Sequence, residues 1–161
     1  MEKFWTGPQV ARIVGIPYDT LDYWVKSGLV RPSMPAPVPR RRSYYTFSDI
    51  VTIAALKALR RQGISLQKLK QARAELWKRI GISLEQGLQG GVIIADREQV
   101  LTVLYSLDEA VQIMSLLKGG QLVLPLSNVI EEVKMRVEGM FGEVYTVATV
   151  IPTEARVHNE R

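Results

Sequence analysis

Residues 6–28 read Thr6-Gly7-Pro8-Gln9-Val10-Ala11-Arg12-Ile13-Val14-Gly15-Ile16-Pro17-Tyr18-Asp19-Thr20-Leu21-Asp22-Tyr23-Trp24-Val25-Lys26-Ser27-Gly28. Two short helical patterns stand here on either side of Gly15. Thr6 is placed to cap the first, and Pro8 suits a first turn, where a missing amide hydrogen costs nothing, so a helix is expected from about Pro8 to Val14. Val10, Ala11 and Val14 form its buried face. Gly15 permits a tight turn, Pro17 re-enters at a first-turn position, and Leu21, Trp24 and Val25 recur at helical spacing until Gly28 stops the pattern. With so short a connection the helices must cross steeply and bury their apolar faces on each other. Tyr18, Asp19, Asp22, Tyr23 and Lys26 are left on the outer face.

The next segment, Arg31 to Arg42, holds Pro32, Pro35, Pro37 and Pro39, which remove amide donors and disfavour helix. An extended loop is expected, returning into a strand over Tyr44-Tyr45-Thr46-Phe47. Arg40-Arg41-Arg42 stand at its base, and three adjacent guanidinium groups repel one another unless anions lie between them. A phosphate backbone supplies such anions. Helix, turn, helix, loop and strand in this order make a winged helix-turn-helix pattern, which points to duplex DNA.

At this point the chain resembles a known family. Val10-Ala11, Gly15-Ile16, Thr20-Leu21-Asp22-Tyr23-Trp24, Ser27-Gly28-Leu29-Val30, Pro32-Ser33, Tyr45-Thr46-Phe47-Ser48-Asp49-Ile50, Leu59-Arg60 and Gly63-Ile64-Ser65-Leu66 are similar to the DNA-binding domain of the MerR family of transcriptional regulators. The resemblance covers roughly residues 4–77. It implies a homodimer on an inverted-repeat operator, with each second helix in a major groove and each wing along flanking phosphates or the minor groove. On that pattern Tyr18, Thr20, Tyr23 and Lys26 are the recognition-helix contacts, and Arg40, Arg41, Arg42 and Tyr44 belong to the wing. Many members carry basic residues where Asp19 and Asp22 stand. A carboxylate facing DNA either accepts from a cytosine amino group or turns away, so Asp22 is expected inward, capping backbone or pairing with an arginine. Asp19 lies in the first turn of its helix, where it favours the positive end of the dipole.

Downstream, Ser48-Asp49 are placed to cap a helix with Ile50, Ile53, Ala54, Leu56 and Leu59 on one face and Lys57, Arg60 and Arg61 on another. Gly63 ends it, and Ser65 starts a further helix carrying Leu66, Leu69, Ala72, Leu76 and Ile80. Charge then divides the chain. Residues 1–80 hold 15 lysines and arginines against 5 aspartates and glutamates, a net of +10, whereas residues 81–161 hold 6 against 11, a net of −5. The basic part attracts a polyanion; the acidic part is suited to facing itself, a protein partner or solvent.

Gly87-Leu88-Gln89-Gly90-Gly91 reads as a turn: it lacks the Lys-Ser/Thr of a phosphate-binding loop and precedes a strand. Val92-Ile93-Ile94-Ala95 and Val100-Leu101-Thr102-Val103-Leu104 form an expected hairpin, joined through Asp96-Arg97-Glu98-Gln99. Ala110 to Leu117 fits strand or helix, and Gly119-Gly120 make a turn. Leu122 to Leu126 reads as an edge strand, because Pro125 cannot donate to a central ladder. Ser127 or Asn128 then caps a helix whose stripe of Val129, Ile130, Val133, Val137 and Met140 either covers the sheet or meets its twin in a dimer.

The expected fold class is therefore α+β: a mainly helical winged helix-turn-helix domain over residues 1–80, then a small antiparallel sheet and a C-terminal helix over residues 81–161, with a flexible tail from about residue 153. No helical pattern after Gly81 lasts long enough for the extended coiled coil through which some MerR-like proteins dimerise. With no cysteine, thiolate and iron-sulfur sensing are excluded, and the single His158 sits in a polar tail. No nucleophile stands with a base, so no enzyme, cofactor or metal is expected. No apolar run approaches the roughly 20 residues of a membrane span, and no signal-peptide pattern opens the chain, which fits a cytoplasmic protein. The expected partners are double-stranded DNA and a second copy, with RNA polymerase or another protein as a further candidate. An alternative is an antitoxin-like interaction protein whose acidic half binds a toxin while the basic half autoregulates.

Overall fold

Thr6 starts the first helix. Its Oγ1 accepts the Gln9 amide at 3.4 Å, and the Gln9 side-chain oxygen accepts the Thr6 amide at 2.9 Å, so two donors otherwise orphaned at a helix start are satisfied reciprocally. In the computed structural model, which describes residues 3–38, 41–85, 91–96, 100–104, 108, 111 and 121–142, α1 then spans Gly7–Val14 with Val10, Ala11, Ile13 and Val14 buried. Gly15 follows in the left-handed region at φ +80°, its amide donating to the Ala11 carbonyl at 2.9 Å. A Cβ there is disfavoured by about 1–2 kcal/mol. Gly15→Ala should therefore lower the thermal midpoint by several degrees, read by circular dichroism; an unchanged midpoint would contradict the turn's dependence on glycine.

The second helix, α2, spans Tyr18–Lys26 and buries Leu21 and Trp24. Pro17 is the N-cap residue, not part of the first turn, and its carbonyl accepts the Thr20 and Leu21 amides at 3.0 and 3.2 Å. Two pairings of strands then frame the helices. β1, Trp5–Thr6, runs antiparallel to β2, Tyr44–Tyr45, with Trp5 opposite Tyr45 and Thr6 opposite Tyr44. The strand expected through Phe47 is shorter, because Thr46 caps α3, Phe47–Arg61, and Phe47 is already helical. The expected cap at Ser48-Asp49 is likewise corrected. Thr46 Oγ1 accepts the Asp49 amide and Asp49 Oδ2 accepts the Thr46 amide, both at 3.1 Å, which makes Asp49 the third helical residue of a second capping box.

After Gly63, also at positive φ, α4 spans Leu66–Glu85 and continues through Gly81, past the point where the charge balance changes sign. β3, Val92–Asp96, pairs antiparallel with β4, Val100–Leu104, as the hairpin reading expects, with an irregularity at Ile94/Ala95. β5, Gln121–Pro125, pairs antiparallel with the other side of β3, giving the order β4-β3-β5. Pro125 thus lies on an edge strand, as its missing donor requires. The uninterrupted apolar run Val92-Ile93-Ile94-Ala95 is the buried central strand.

The C-terminal helix, α5, spans Leu126–Phe141 and begins at Pro125 as N-cap, earlier than the Ser127 or Asn128 cap expected from side-chain capping alone. Proline fits because its fixed φ suits a helix start and the lost donor is one a helix start leaves unpaired in any case. Leu126, Val129, Ile130, Val133 and Val137 are buried, and Met140 lies outside the stripe at the surface. This stripe packs on α1 and α3, so the helix seals the back of the helix-turn-helix. One apolar cluster joins Val10 of α1, Leu21 of α2, Ile53 of α3, Leu69 of α4, Ile93 of β3 and Ile130 of α5. Each large aliphatic side chain so buried contributes about 1.5–3 kcal/mol of transfer free energy. Arg40, Gly87 to Gly90, Arg97 to Gln99, most of Ala110 to Leu117, Gly119-Gly120 and the tail from Thr153, including His158, lie outside the described residues.

Candidate nucleic-acid interface

The outer face of α2 is built by fixing its inner one. Leu21 and Trp24 are buried, and the Trp24 carbonyl accepts the Leu29 and Val30 amides at 2.9 and 3.1 Å and the Ser27 hydroxyl at 3.1 Å. This ties down the end of the helix and turns the chain towards the wing. On the opposite side Tyr18 is 50% and Tyr23 55% exposed, large aromatic surfaces left to solvent. Tyr18 lies over the start of α1, where its ring edge would stand 3.0 Å from a Cβ on Gly7. Thr20 is half-buried and Lys26 exposed.

Asp22 does not turn inward. One helical turn before Lys26, it holds the ammonium at 2.7 Å on the surface, as the i,i+4 spacing allows. Its hydrogen bond and its charge raise the Lys26 pKa above the ordinary lysine value. Lys26 therefore carries a local counter-charge. Asp19 is exposed in the first turn, at the positive end of the helix dipole.

Beside α2 the wing stands on a short ladder. Met34 and Tyr44 exchange backbone hydrogen bonds of 3.1 and 2.8 Å, the Ala36 amide donates to Ser43 Oγ at 3.0 Å, and the Arg41 amide closes a turn onto the Val38 carbonyl at 3.2 Å. Arg41 and Arg42 are exposed at this tip, beyond the ladder and not at the base of the loop where the sequence reading places them, and Tyr44 is partly exposed. Arg40, the third member of the cluster, lies outside the described residues. Beneath them Tyr45 is buried, and that burial pushes its hydroxyl up to about 12.

The wing is held by Asp49, which the sequence reading places only as a helix cap. Asp49, 2% exposed, accepts the Ser33 amide at 2.9 Å and the Thr46 amide at 3.1 Å on Oδ2, and the Ser33 hydroxyl at 2.7 Å and the Trp77 indole N–H at 3.3 Å on Oδ1. One carboxylate thus joins the root of the wing, the start of α3 and the middle of α4. The signal was present as Thr46-x-x-Asp49, a capping-box spacing; the bonds to Ser33 and Trp77 have no local signature.

A groove of about 600 Å³ runs along the other side of α2, lined by Thr20, Tyr23 and Asp19 and, across from them, by Lys57, Arg60 and Arg61. Lys57 donates to the Val14 carbonyl at 2.8 Å, and Arg60 to the Ile64 carbonyl at 3.0 Å. Lys57 so satisfies a carbonyl left over at the end of α1, whereas exposed Arg60 ties itself to the loop that follows its own helix. Burial first, then the neighbouring Arg61 and Arg136, lower the Lys57 pKa.

Residues 6–76, the helix-turn-helix, the wing and most of α4, match the model of the MerR family of helix-turn-helix regulatory proteins. That stretch is of the MerR helix-turn-helix type. The chain is also 34% identical over 116 residues to proteins described as uncharacterized HTH-type transcriptional regulators from Mycobacterium bovis and from two strains of Mycobacterium tuberculosis. The alignment covers 71% of this chain and 48% of those proteins, so the chain spans about half the length of the curated relatives it matches. The matched residues bring Tyr18, Thr20, Tyr23 and Lys26 together on α2 and set Arg41, Arg42 and Tyr44 on the adjoining wing.

Proposed function

We propose that this chain is a sequence-specific regulator that binds double-stranded DNA as a dimer on an inverted-repeat operator. The observation that carries the reading is the shared exposure of the α2 face and the wing tip, both fixed from behind by buried contacts and both basic at their margins. An α-helix fits the major groove, about 12 Å wide, so Tyr18, Thr20, Tyr23 and Lys26 meet base edges and nearby backbone. Arg40, Arg41, Arg42 and Tyr44 then lie along flanking phosphates, where they add affinity and register more than sequence discrimination. In this reading residues 1–80 are the DNA-binding domain, and residues 81–161 dimerise and receive a signal or a protein partner such as RNA polymerase. A cytoplasmic location belongs to the same proposal; among the described residues no helix is long and apolar enough to cross a membrane.

Footprinting on genomic fragments, combined with a size measurement of the complex, tests the reading. A protected site with two-fold symmetry and two chains bound is expected; protection of no locus above random competitor overturns it. Once an operator is known, Tyr23→Ala should lower the ratio of operator to random-sequence affinity by about tenfold, since a lost base-edge contact is worth about 1–3 kcal/mol. An equal loss on both duplexes would assign Tyr23 to the backbone.

A further inference from the structure

We propose that Arg136, on the C-terminal helix α5, is a phosphate-contacting residue of the DNA interface, extending with Lys57 and Arg61 a cationic edge at the turn between α1 and α2. The inference rests on the DNA-binding reading above and carries that surface beyond the MerR-matched residues, which end at 76.

The geometry comes from the docking of α5. Its buried stripe seats on α1 and α3, and this brings Arg136 beside the turn between α1 and α2. The point where a Cβ on Gly15 would stand is 3.1 Å from Arg136 Nη1 and also 3.1 Å from Lys57 Nζ. Two cationic nitrogens therefore meet at one turn. Lys57 also lines the groove that Thr20, Tyr23 and Arg61 share, so this edge is continuous with the α2 face. Like charges held this close repel, and the effect is visible in the lowered pKa of Lys57, to which Arg61 and Arg136 contribute after burial.

Counter-charge within the protein is partial. Glu132 meets Arg136 through Nε at 3.4 Å, and its side chain is 63% exposed, an arrangement in which solvent screens most of the attraction. The Nη1 side of the guanidinium is directed towards the turn. A phosphodiester placed there would relieve the repulsion between Arg136 and Lys57 and accept from a planar donor fork suited to two oxygens.

The test uses the full chain and a labelled random-sequence duplex, with anisotropy titrations across a salt series. Arg136→Ala should weaken binding by about fivefold and reduce the slope of log K against log salt by about 0.9, the value for one lost phosphate. Glu132→Gln should act in the opposite direction, tightening binding by about twofold to threefold, because it removes a competing carboxylate. A purely structural ion pair would make the two variants fall together in thermal midpoint and leave the salt slope unchanged. An unaltered slope for Arg136→Ala, or weaker binding by Glu132→Gln, overturns the inference while the wild-type titration leaves the DNA reading standing. Failure of the wild-type chain to bind the duplex at low salt overturns both.

Discussion

Asp49→Ala is expected to cost about 3 kcal/mol of folding free energy. The carboxylate accepts four hydrogen bonds while almost wholly buried, from the Ser33 amide and hydroxyl, the Thr46 amide and the Trp77 indole. Alanine leaves these donors without their acceptor. Each buried donor stranded in this way costs about 1–3 kcal/mol, and partial access of water near Ser33 limits the total. The capping box of α3 goes with it, a loss of the same order as other cap deletions at about 1 kcal/mol. Asp49→Asn should cost less than alanine, because it keeps the shape and one acceptor oxygen while turning an amino group towards two amide hydrogens. Urea titration reads both variants, as a lower midpoint with unchanged slope. A second readout separates stability from wing placement: amide exchange at Met34 and Tyr44, whose mutual bonds define the wing, should accelerate in Asp49→Asn under conditions where α1 remains protected. A midpoint shift corresponding to less than about 1 kcal/mol for alanine would show that Asp49 is not the anchor.

The same residue shows where reading the sequence stops. Elements set by neighbours a few positions apart were legible: Thr6 and Pro8 opening α1, Gly15 turning into α2, the proline-spaced wing, and Pro125 confining β5 to an edge. Errors fell where two local signals competed. Thr46 and Ser48 are both capping residues, and only Thr46 has its carboxylate three positions ahead, so the helix begins two residues sooner and takes Phe47 from the strand. Likewise Ser127 and Asn128 are better side-chain caps than Pro125, yet the ladder of β5 ends at Pro125 and the Leu126 amide donates to the Gly91 carbonyl at 2.8 Å, which fixes the start of α5. Asp22 was misplaced for another reason: an i,i+4 lysine on the same exposed face is a nearer partner than any arginine of the fold.

What no local pattern could give was contact between distant segments. β1 is two residues long and gains its identity only from pairing with β2. The stripe of α5 reads equally well as a sheet cover or a dimer seam; that it meets α1 and α3 depends on the hairpin and β5 returning the chain to the helix-turn-helix. Of the candidate site, side-chain identities were legible in the α2 face and in the wing. The groove formed with Lys57, Arg60 and Arg61 was not, because Lys57 is held by the Val14 carbonyl, 43 positions away in the chain.

Replacing Arg40, Arg41 and Arg42 together with alanine should weaken duplex binding by on the order of 100-fold at moderate salt and leave folding nearly unchanged. Arg41 and Arg42 are exposed at the tip of a wing whose shape is set by other groups: the Met34–Tyr44 pair, the Ala36–Ser43 bond and the Asp49 anchor at Ser33. Removing their guanidinium groups therefore takes charge without taking support. If each of the three meets one phosphate and contributes about 1 kcal/mol, the sum is about 3 kcal/mol, a little over two decades in affinity. Three phosphates fewer should also lower the slope of log K against log salt by about 2.7, so the variant and the parent converge as salt rises. Because backbone contacts carry no sequence information, operator and random duplexes should lose affinity in similar proportion, in contrast to Tyr23→Ala. Gel-shift and anisotropy titrations over a salt series measure all three quantities. Affinity and slope both equal to those of the parent would remove the wing from the interface and leave α2 and the groove beside it as the only surface on which the DNA reading rests.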